Sequence, residues 1–218
     1  KYHSVKTQKL FNYLHNRVID EIGYYEQIKQ NTNIDTIIDV GVHKGTPHLY
    51  KTFKECLFLL VDPVDEFLEQ KPERYKFIKK GLGNKNQQKK FYIHQNSGLS
   101  SFKEELRLGR SIESEPIETK NVEILTLDNL INIELTSSKS IGIKIDAQGY
   151  EYEILEGLTE NIERVEFIII ENNILPRYKE TKLFSELTSF LLNKDFYFLN
   201  ILNPSSTIPR YSYDCLFL

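Results

Sequence analysis

The stretch Thr36-Ile-Ile-Asp-Val-Gly-Val-His-Lys-Gly-Thr-Pro-His-Leu-Tyr50 decides how this chain folds. It opens with a short β-branched run that ends at Asp39, and such a run predicts a buried strand. Gly41 and Gly45 follow, and glycine lets the backbone turn tightly and approach a ligand closely. A strand, a glycine loop and a helix start in this order predict an α/β protein with a ligand at the loop.

The helix start after the loop indicates which ligands fit. Thr46 is the expected N-cap and Pro47 the first helical residue, so free amide N–H groups would point into the loop and hold a carboxylate or phosphate. A dinucleotide loop needs G-x-G-x-x-G, whereas this loop has G-x-x-x-G, with His43 where the second glycine would be. The acid before the loop repels a pyrophosphate but suits an ammonium group. We therefore predict S-adenosylmethionine rather than NAD.

Composition limits the class of protein. With 218 residues, 40% of them hydrophobic, the chain is long enough for one α/β domain with a packed core. A net charge of −3 gives no reason to expect a nucleic-acid partner. Cys56 and Cys215 are far apart, which favours two reduced thiols in a cytoplasmic protein. Neither a membrane-spanning apolar run nor a signal-peptide pattern is present, so no membrane insertion is predicted.

Strand and helix patterns alternate along the chain. This alternation predicts one domain over 1–218, a three-layer sandwich around a mostly parallel seven-stranded sheet. We expect a leading helical segment at 1–33, a β-hairpin insertion at 87–127 and an antiparallel C-terminal hairpin. The predicted strands are 36–40, 57–61, 75–80, 141–145, 165–170, 195–202 and 212–218. The predicted helices are 5–22, one after residue 46, 66–70, 150–157 and 183–192.

Acidic residues end four of the predicted strands. They are Asp39, Asp62, Asp146 and Glu171, the last followed by Asn172. Ligands of such sheets bind outside the carboxyl ends of the strands, so these side chains are expected at one rim. Asp62 lies about twenty residues beyond the glycine loop, where an acid accepts both hydroxyls of a ribose. The alternative is a simple turn acid before a proline, and we favour the ribose contact.

Several short motifs resemble one family in their order along the chain. Over about 35–198 the sequence resembles FkbM-type methyltransferases. The block Lys144-Ile-Asp-Ala-Gln-Gly-Tyr-Glu151 is the most specific part of that resemblance. The other matching motifs are Asp39-Val-Gly-x-x-x-Gly45, Asp62-Pro63, Gly98-Leu-Ser-Ser101, Thr126-Leu-Asp128 and a strand ending at Glu171.

The resemblance implies a class I methyltransferase (Rossmann-like) fold and S-adenosylmethionine as methyl donor. It also implies O-methylation, often of a sugar hydroxyl in a glycan or of a natural product. His43 stands where the family usually has asparagine, and Asp62 where it commonly has glutamate. The cofactor-binding residues implied by position are Asp39, Gly41, His43, Gly45, Thr46, Asp62, Gly81, Leu82, Asp146 and Gln148.

Methyl transfer to a hydroxyl needs a group that takes the acceptor's proton. Asp146 is our first candidate for this base and Glu151 the second, with His43 and His94 as outside candidates. The insertion at 87–127 is expected to form the acceptor side, where Arg107 and Arg110 would contact an anionic acceptor. The predicted substrate-binding residues are Ser100, Ser101, Glu171 and Asn172.

Two alternatives concern the acids at the rim. Asp146, Glu171 and Asn172 form a candidate Mg²⁺ site that would activate the acceptor, but we favour structural roles for these oxygens. Lys144, on an apolar strand, is costly to bury unless it is paired, so an ion pair with a strand-end acid is at least as good an interpretation as catalysis.

Two other function classes stay open at the sequence level. A non-catalytic adenosine-ligand-binding protein would keep the glycine loop and Asp62, and a nicotinamide-dependent oxidoreductase would share the fold. The expected partner is a small-molecule or glycan acceptor. If the chain forms a homo-oligomer, the edge hairpin and the leading helix are the expected contact surfaces.

Overall fold

A computed structural model describes residues 21–65, 67–106, 116–202 and 212–218. Four predicted features fall wholly or mostly outside these residues. They are the leading helix (except residues 21 and 22), the turn at 203–209, Arg107 and Arg110.

The core of the molecule is one seven-stranded sheet with the order β3-β2-β1-β7-β8-β10-β9. Its first five strands in that order run parallel, β10 is antiparallel to β8, and β9 is antiparallel to β10 at the edge. This confirms the α/β class and the mostly parallel seven-stranded sheet. The strands are β1 (Thr36–Val40), β2 (Leu57–Val61), β3 (Tyr75–Ile78), β7 (Ile141–Ile145), β8 (Val165–Asn173), β9 (Phe198–Ile201) and β10 (Ser212–Phe217).

The three central strands end level with one another. Val40 pairs with Val61 on one side and with Ile145 on the other. All five residues of β1 and of β7 are buried, as expected of parallel strands covered on both faces. The residues just past these strands, Gly41, Asp62 and Asp146, are therefore brought side by side.

A second sheet of three strands has the order β4-β6-β5. Its strands are β4 (Gly81–Leu82), β5 (Gln87–His94) and β6 (Pro116–Leu125). β5 and β6 pair antiparallel, and β4 adds parallel to β6. The Gly81–Leu82 segment, which directly follows the predicted strand 75–80, is therefore a short strand of this smaller sheet.

Five helices lie in the described part of the chain, and together they cover both faces of the large sheet. Ile28 and Leu49 pack with Ile37 on one face, whereas Leu130 and Leu187 pack with Ile38 on the other. None of these helices combines the length and apolar character needed to cross a bilayer. The helices are α1 (Glu21–Asn31), α2 (Pro47–Thr52), α3 (Leu127–Glu134), α4 (Glu151–Glu156) and α5 (Phe184–Leu192).

The predicted helix at 66–70 is wrong for the four of its residues that are described, 67–70. A helix would bond the Gln70 amide to the carbonyl of residue 66, but this amide donates to the Lys44 carbonyl at 2.8 Å. The segment is thus tied to the glycine loop, and tertiary contacts override its local pattern. Helix α3 was missed, although Thr126 caps it by accepting the Asn129 amide at 3.1 Å.

Asp128 joins α3 to the turn after α4, and its replacement provides a test of stability. Its buried carboxylate accepts the backbone N–H groups of Thr159, Glu160 and Asn161 at 2.7, 3.0 and 2.9 Å. Burial opposes ionisation, but these bonds outweigh it and hold the pKa of Asp128 below its usual range. We expect Asp128→Asn to lower the free energy of unfolding by about 2–3 kcal/mol in urea titrations at pH 7, because an amide N–H₂ then faces N–H donors.

The depressed pKa also sets the pH dependence of this contribution. The stabilisation from Asp128 is present above pH 4 and is lost as the pH falls through the folded-state pKa, so the wild type and the variant should converge in acid. Asp65→Asn is the matched control, since Asp65 is exposed and its carboxylate pairs with the exposed Lys79 side chain. Equal losses in both variants at pH 7 would contradict the assignment.

Candidate active site

A cleft of about 710 Å³ opens at the carboxyl ends of β1, β2 and β7. Gly41, Asp62 and Asp146, the residues that follow these three strands, all line it. The fold thus brings the glycine loop and two of the predicted acids together at one site, at the rim where open α/β sheets bind ligands.

The glycine loop is shaped by two close backbone approaches. Gly41 has φ +73°, and a Cβ on it would lie 1.7 Å from the carbonyl oxygen of Asp146. Gly45 has φ +101°, and its Cβ would lie 2.4 Å from the carbonyl oxygen of Gln70. Gly41 lines the cleft, whereas Gly45 is outside its lining and holds the loop against the 67–70 segment.

Asp39 does not line the cleft, because α2 folds over it. The carboxylate is fully buried and accepts the Thr46 hydroxyl at 3.0 Å and the Tyr50 hydroxyl at 2.6 Å. Burial, together with the charge of Asp39, raises the pKa of Tyr50 and keeps this donor protonated. Thr46 therefore precedes α2 without capping it through its side chain. The hydrogen bond between Thr46 and Asp39 instead fixes the glycine loop against β1.

Asp62 presents its carboxylate to the cleft while the backbone holds it in place. One oxygen accepts the N–H of His43 at 3.1 Å and the other accepts the N–H of Val64 at 3.0 Å. A carboxylate has about four acceptor sites, so it can accept a further hydrogen bond from a ligand. Burial, only partly offset by these bonds, raises the pKa of Asp62 to about 6. The side chain is thus a fixed pair of acceptors whose charge changes just below neutral pH.

Lys144 is buried between two of the predicted acids. Its ammonium lies 3.7 Å from an Asp39 oxygen and 3.8 Å from an Asp146 oxygen. Burial alone would favour the neutral amine, but the charges of Asp39 and Asp146 outweigh it and raise the pKa of Lys144. Lys144 therefore makes the ion pair considered from the sequence and does not line the cleft.

Glu151 lies beneath the turn that follows β7 and does not line the cleft. Its buried carboxylate accepts the N–H groups of Ala147 and Gly149, both at 3.0 Å. Burial raises the pKa of Glu151 to about 7. This geometry assigns Glu151 to holding the turn that presents Asp146.

Glu171 and Asn172 lie within β8, which is longer than predicted, and neither lines the cleft. Glu171 accepts the Gln148 amide at 3.1 Å and the Ser212 hydroxyl at 2.7 Å, while Asn172 is fully buried. Among the described residues no three His, Cys, Asp or Glu side chains gather closely enough to hold a metal ion. The amide hydrogens of Gln148 also point at Asp146 and Glu171, where a cation would require oxygen ligands.

The insertion contributes a turn that faces the glycine loop across the cleft. His43, with φ +46°, lies 2.8 Å from the Ser97 hydroxyl through its Nε2 atom. Burial, assisted by the charge of Lys44, lowers the pKa of His43, so its imidazole is neutral at pH 7. Ser97 was missed in the sequence because nothing in a lone serine before a glycine marks it as a site residue.

The two predicted serines separate in the structure. Ser100 lines the cleft and accepts the His94 amide N–H at 3.2 Å. Ser101 is fully buried, lies outside the cleft lining and donates to the Gln148 carbonyl at 2.7 Å. His94 is buried outside the cleft lining as well.

One end of the cleft is apolar. Gly81 and Leu82 line it, together with Phe91 and Phe102, whose ring centroids are 4.8 Å apart. A Cβ on Gly81 would lie 2.4 Å from the Phe102 ring, so this glycine allows the ring to close the wall. The aromatic residues come from the insertion, and only the fold brings them beside Leu82.

Comparison with known families agrees with this geometry. No curated protein and no solved structure matches the chain significantly. The family model described as the methyltransferase FkbM domain matches residues 39–198. The match runs from the acid before the glycine loop to the first residue of β9, and it includes the cleft-lining residues at the ends of β1, β2 and β7. Because it covers more than half of the chain, this protein belongs to the FkbM methyltransferase family.

Proposed function

We propose that the chain transfers a methyl group from S-adenosylmethionine to a hydroxyl oxygen of a sugar or natural-product acceptor. One observation carries the proposal. The carboxylates of Asp62 and Asp146, at the ends of two strands that flank β1, face the same cleft of about 710 Å³.

The residues of the cleft fit S-adenosylmethionine in their chemistry. Asp62 offers two fixed acceptors for the two ribose hydroxyls, and the apolar wall with Leu82 and Phe102 suits an adenine ring. Asp146 supplies negative charge for a cationic centre at the other end. When bound, S-adenosylmethionine would supply an electrophilic methyl group on its sulfonium.

Asp146 is the group we propose as the general base. It lines the cleft with a side chain that is 32% exposed, so an acceptor hydroxyl can reach it. Its carboxylate takes the hydroxyl proton as the oxygen attacks, which makes that oxygen a better nucleophile. Glu151 has no place in this step, because its carboxylate is buried against the backbone of the turn.

Among the described residues, uncharged polar groups line the cleft near the proposed base. Ser97, Ser100 and His43 line the cleft near Asp146 and Gln148. Hydroxyl and neutral imidazole groups both donate and accept hydrogen bonds, which suits a polyhydroxylated acceptor. The 87–127 insertion would then supply much of the acceptor site, with Ser101, Glu171 and Asn172 supporting it from outside the cleft.

The affinity for S-adenosylmethionine is expected to fall in mild acid. The ribose contacts need the ionised Asp62 carboxylate, and its pKa is raised to about 6. Affinity should therefore be full at pH 7–8 and about tenfold weaker at pH 5, where roughly a tenth of the carboxylate is ionised. Isothermal titration calorimetry across this range measures the effect.

Two variants separate the titration of Asp62 from that of His43, whose backbone N–H bonds it. Asp62→Asn should bind weakly at every pH and lose the pH dependence. His43→Gln should keep the pH dependence, because it removes only the imidazole. Tight, pH-independent binding by the wild type would contradict the ribose role of Asp62.

A further inference from the structure

The Gln148 side chain uses all of its hydrogen-bonding groups within the protein. Its Nε2 atom donates to an Asp146 oxygen at 2.9 Å and to a Glu171 oxygen at 3.1 Å. Its Oε1 atom accepts the Tyr178 hydroxyl at 2.9 Å. Both amide hydrogens are thus directed at carboxylates, although the family resemblance implies a cofactor contact for this residue.

The orientation of this amide is fixed from behind. Tyr178 is 1% exposed, and a Cβ on Gly149 would lie 2.8 Å from its ring, so the ring and the turn are in close contact. The Gln148 backbone is held as well, at φ +50° and by the Ser101 hydroxyl that donates to its carbonyl at 2.7 Å. Residues on three different segments therefore set the position of one amide group.

The electrostatics at this point require that orientation. Asp146 and Glu171 both accept from the same Nε2 atom. The Lys144 ammonium lies 3.7 Å from Asp39 and 3.8 Å from Asp146. A reversed amide would put its oxygen against two carboxylates. The Tyr178 hydroxyl would then lose its nearer acceptor, Gln148 Oε1 at 2.9 Å, and keep only the longer contact with the Leu99 carbonyl oxygen at 3.3 Å. The Tyr178 hydroxyl, by donating to Oε1, favours the orientation that satisfies both acids.

We propose that Gln148 is a positioning residue, oriented by Tyr178, that holds the Asp146 carboxylate in the cleft and ties it to Glu171. This rests on the proposed function, in which Asp146 takes the acceptor proton. We call Gln148 with Asp146, Glu171, Tyr178 and Ser101 the Gln148 junction. Ser101 follows Ser100 in the insertion and donates to the Gln148 backbone carbonyl, so Gln148 links the acceptor side to the two acids. Gln148 then acts on the reaction through Asp146 and not by contact with the ribose or adenine.

The test is Tyr178→Phe, which keeps the ring and removes only the hydroxyl. The readout is the carboxyl ¹³C signal of Glu171 in protein labelled at glutamate side chains, assigned with Glu171→Gln and followed through a pH titration. Without the hydroxyl the Gln148 amide is no longer held in one orientation and its N–H donation to Glu171 weakens. Weaker donation favours the protonated acid, so the Glu171 midpoint should rise by up to about 1 pH unit. Tyr92→Phe is the matched control, because the Tyr92 hydroxyl bonds Glu104 and none of the groups around Gln148. The Glu171 midpoint in this variant should equal that of the wild type.

Gln148→Met provides a second variant that removes the amide itself and should raise the midpoint at least as much. Unchanged midpoints in folded Tyr178→Phe and Gln148→Met would overturn the inference. The affinity of Tyr178→Phe for S-adenosylmethionine, measured by calorimetry, should stay within about twofold of wild type, and a tenfold loss would instead assign the junction to cofactor binding. Failure of the wild type to bind S-adenosylmethionine would overturn the proposed function and leave the midpoint result standing.

Discussion

Replacing Gly41 by alanine is expected to destabilise the protein strongly and to abolish ligand binding in the cleft. The new Cβ would lie 1.7 Å from the Asp146 carbonyl oxygen and 2.7 Å from its carbon, both backbone atoms that cannot rotate away. The residue also has φ +73°, which disfavours any L side chain. Because the clash lies between the ends of β1 and β7, relief requires that these two strands separate at the cleft.

The expected loss is about 3–5 kcal/mol in the free energy of unfolding, from the backbone strain and the overpacking together. That corresponds to a midpoint of thermal unfolding lowered by roughly 6–20 °C for a domain of this size. Gly98→Ala is the control in the same cleft, since its Cβ would have its nearest neighbours at 3.6 and 3.7 Å, which is ordinary contact. Equal stability of the Gly41 and Gly98 variants would contradict the close approach.

Asp146→Asn should reduce the rate of methyl transfer by about 10²–10⁴-fold at saturating S-adenosylmethionine, the range that a general base contributes. The substitution keeps the size of the side chain and an oxygen for the Gln148 amide, but the group can no longer take a proton. The measurement is transfer of a labelled methyl group to an acceptor that the wild type methylates, chosen from a panel of neutral sugars.

Glu151→Gln is the comparison variant for Asp146→Asn, because Glu151 was the second candidate for the general base. Its Oε1 atom can keep both backbone bonds as an amide oxygen, so the rate at saturating cofactor should stay within about tenfold of wild type. If Asp146 served only to bind the cofactor, excess S-adenosylmethionine would restore the rate of Asp146→Asn. Full restoration would therefore contradict its role as base.

The sequence alone predicted the strand bounds correctly where a strand is a short, mostly apolar run. The bounds of β1, β2 and β7 agree with the predicted ones, because a short, mostly apolar run bounded by turn residues is typical of a buried parallel strand. Asp62 and Asp146 follow from these strands, since the carboxyl ends of parallel neighbours must meet at one rim.

The other features of the site could not be predicted, because they depend on contacts between segments that are separate in the sequence. Asp39 ends a central strand as Asp62 and Asp146 do, yet α2 covers it through Thr46 and Tyr50. Ser97 and Phe102 lie in the insertion, and only the second sheet brings them to the cleft. No local pattern encodes these placements, because each depends on how a helix packs or on contacts with residues far away in the sequence.

The most direct test of the account is a calorimetric titration of the wild-type protein at pH 7.5 with S-adenosylmethionine and, in parallel, with NAD. The account predicts saturable binding of S-adenosylmethionine alone, with one site per chain and a much weaker signal in Asp62→Asn. The G-x-x-x-G loop, the His43 side chain at the second glycine position and the two cleft carboxylates all disfavour a pyrophosphate. Binding of NAD, or of neither compound by the folded protein, would contradict the central claim.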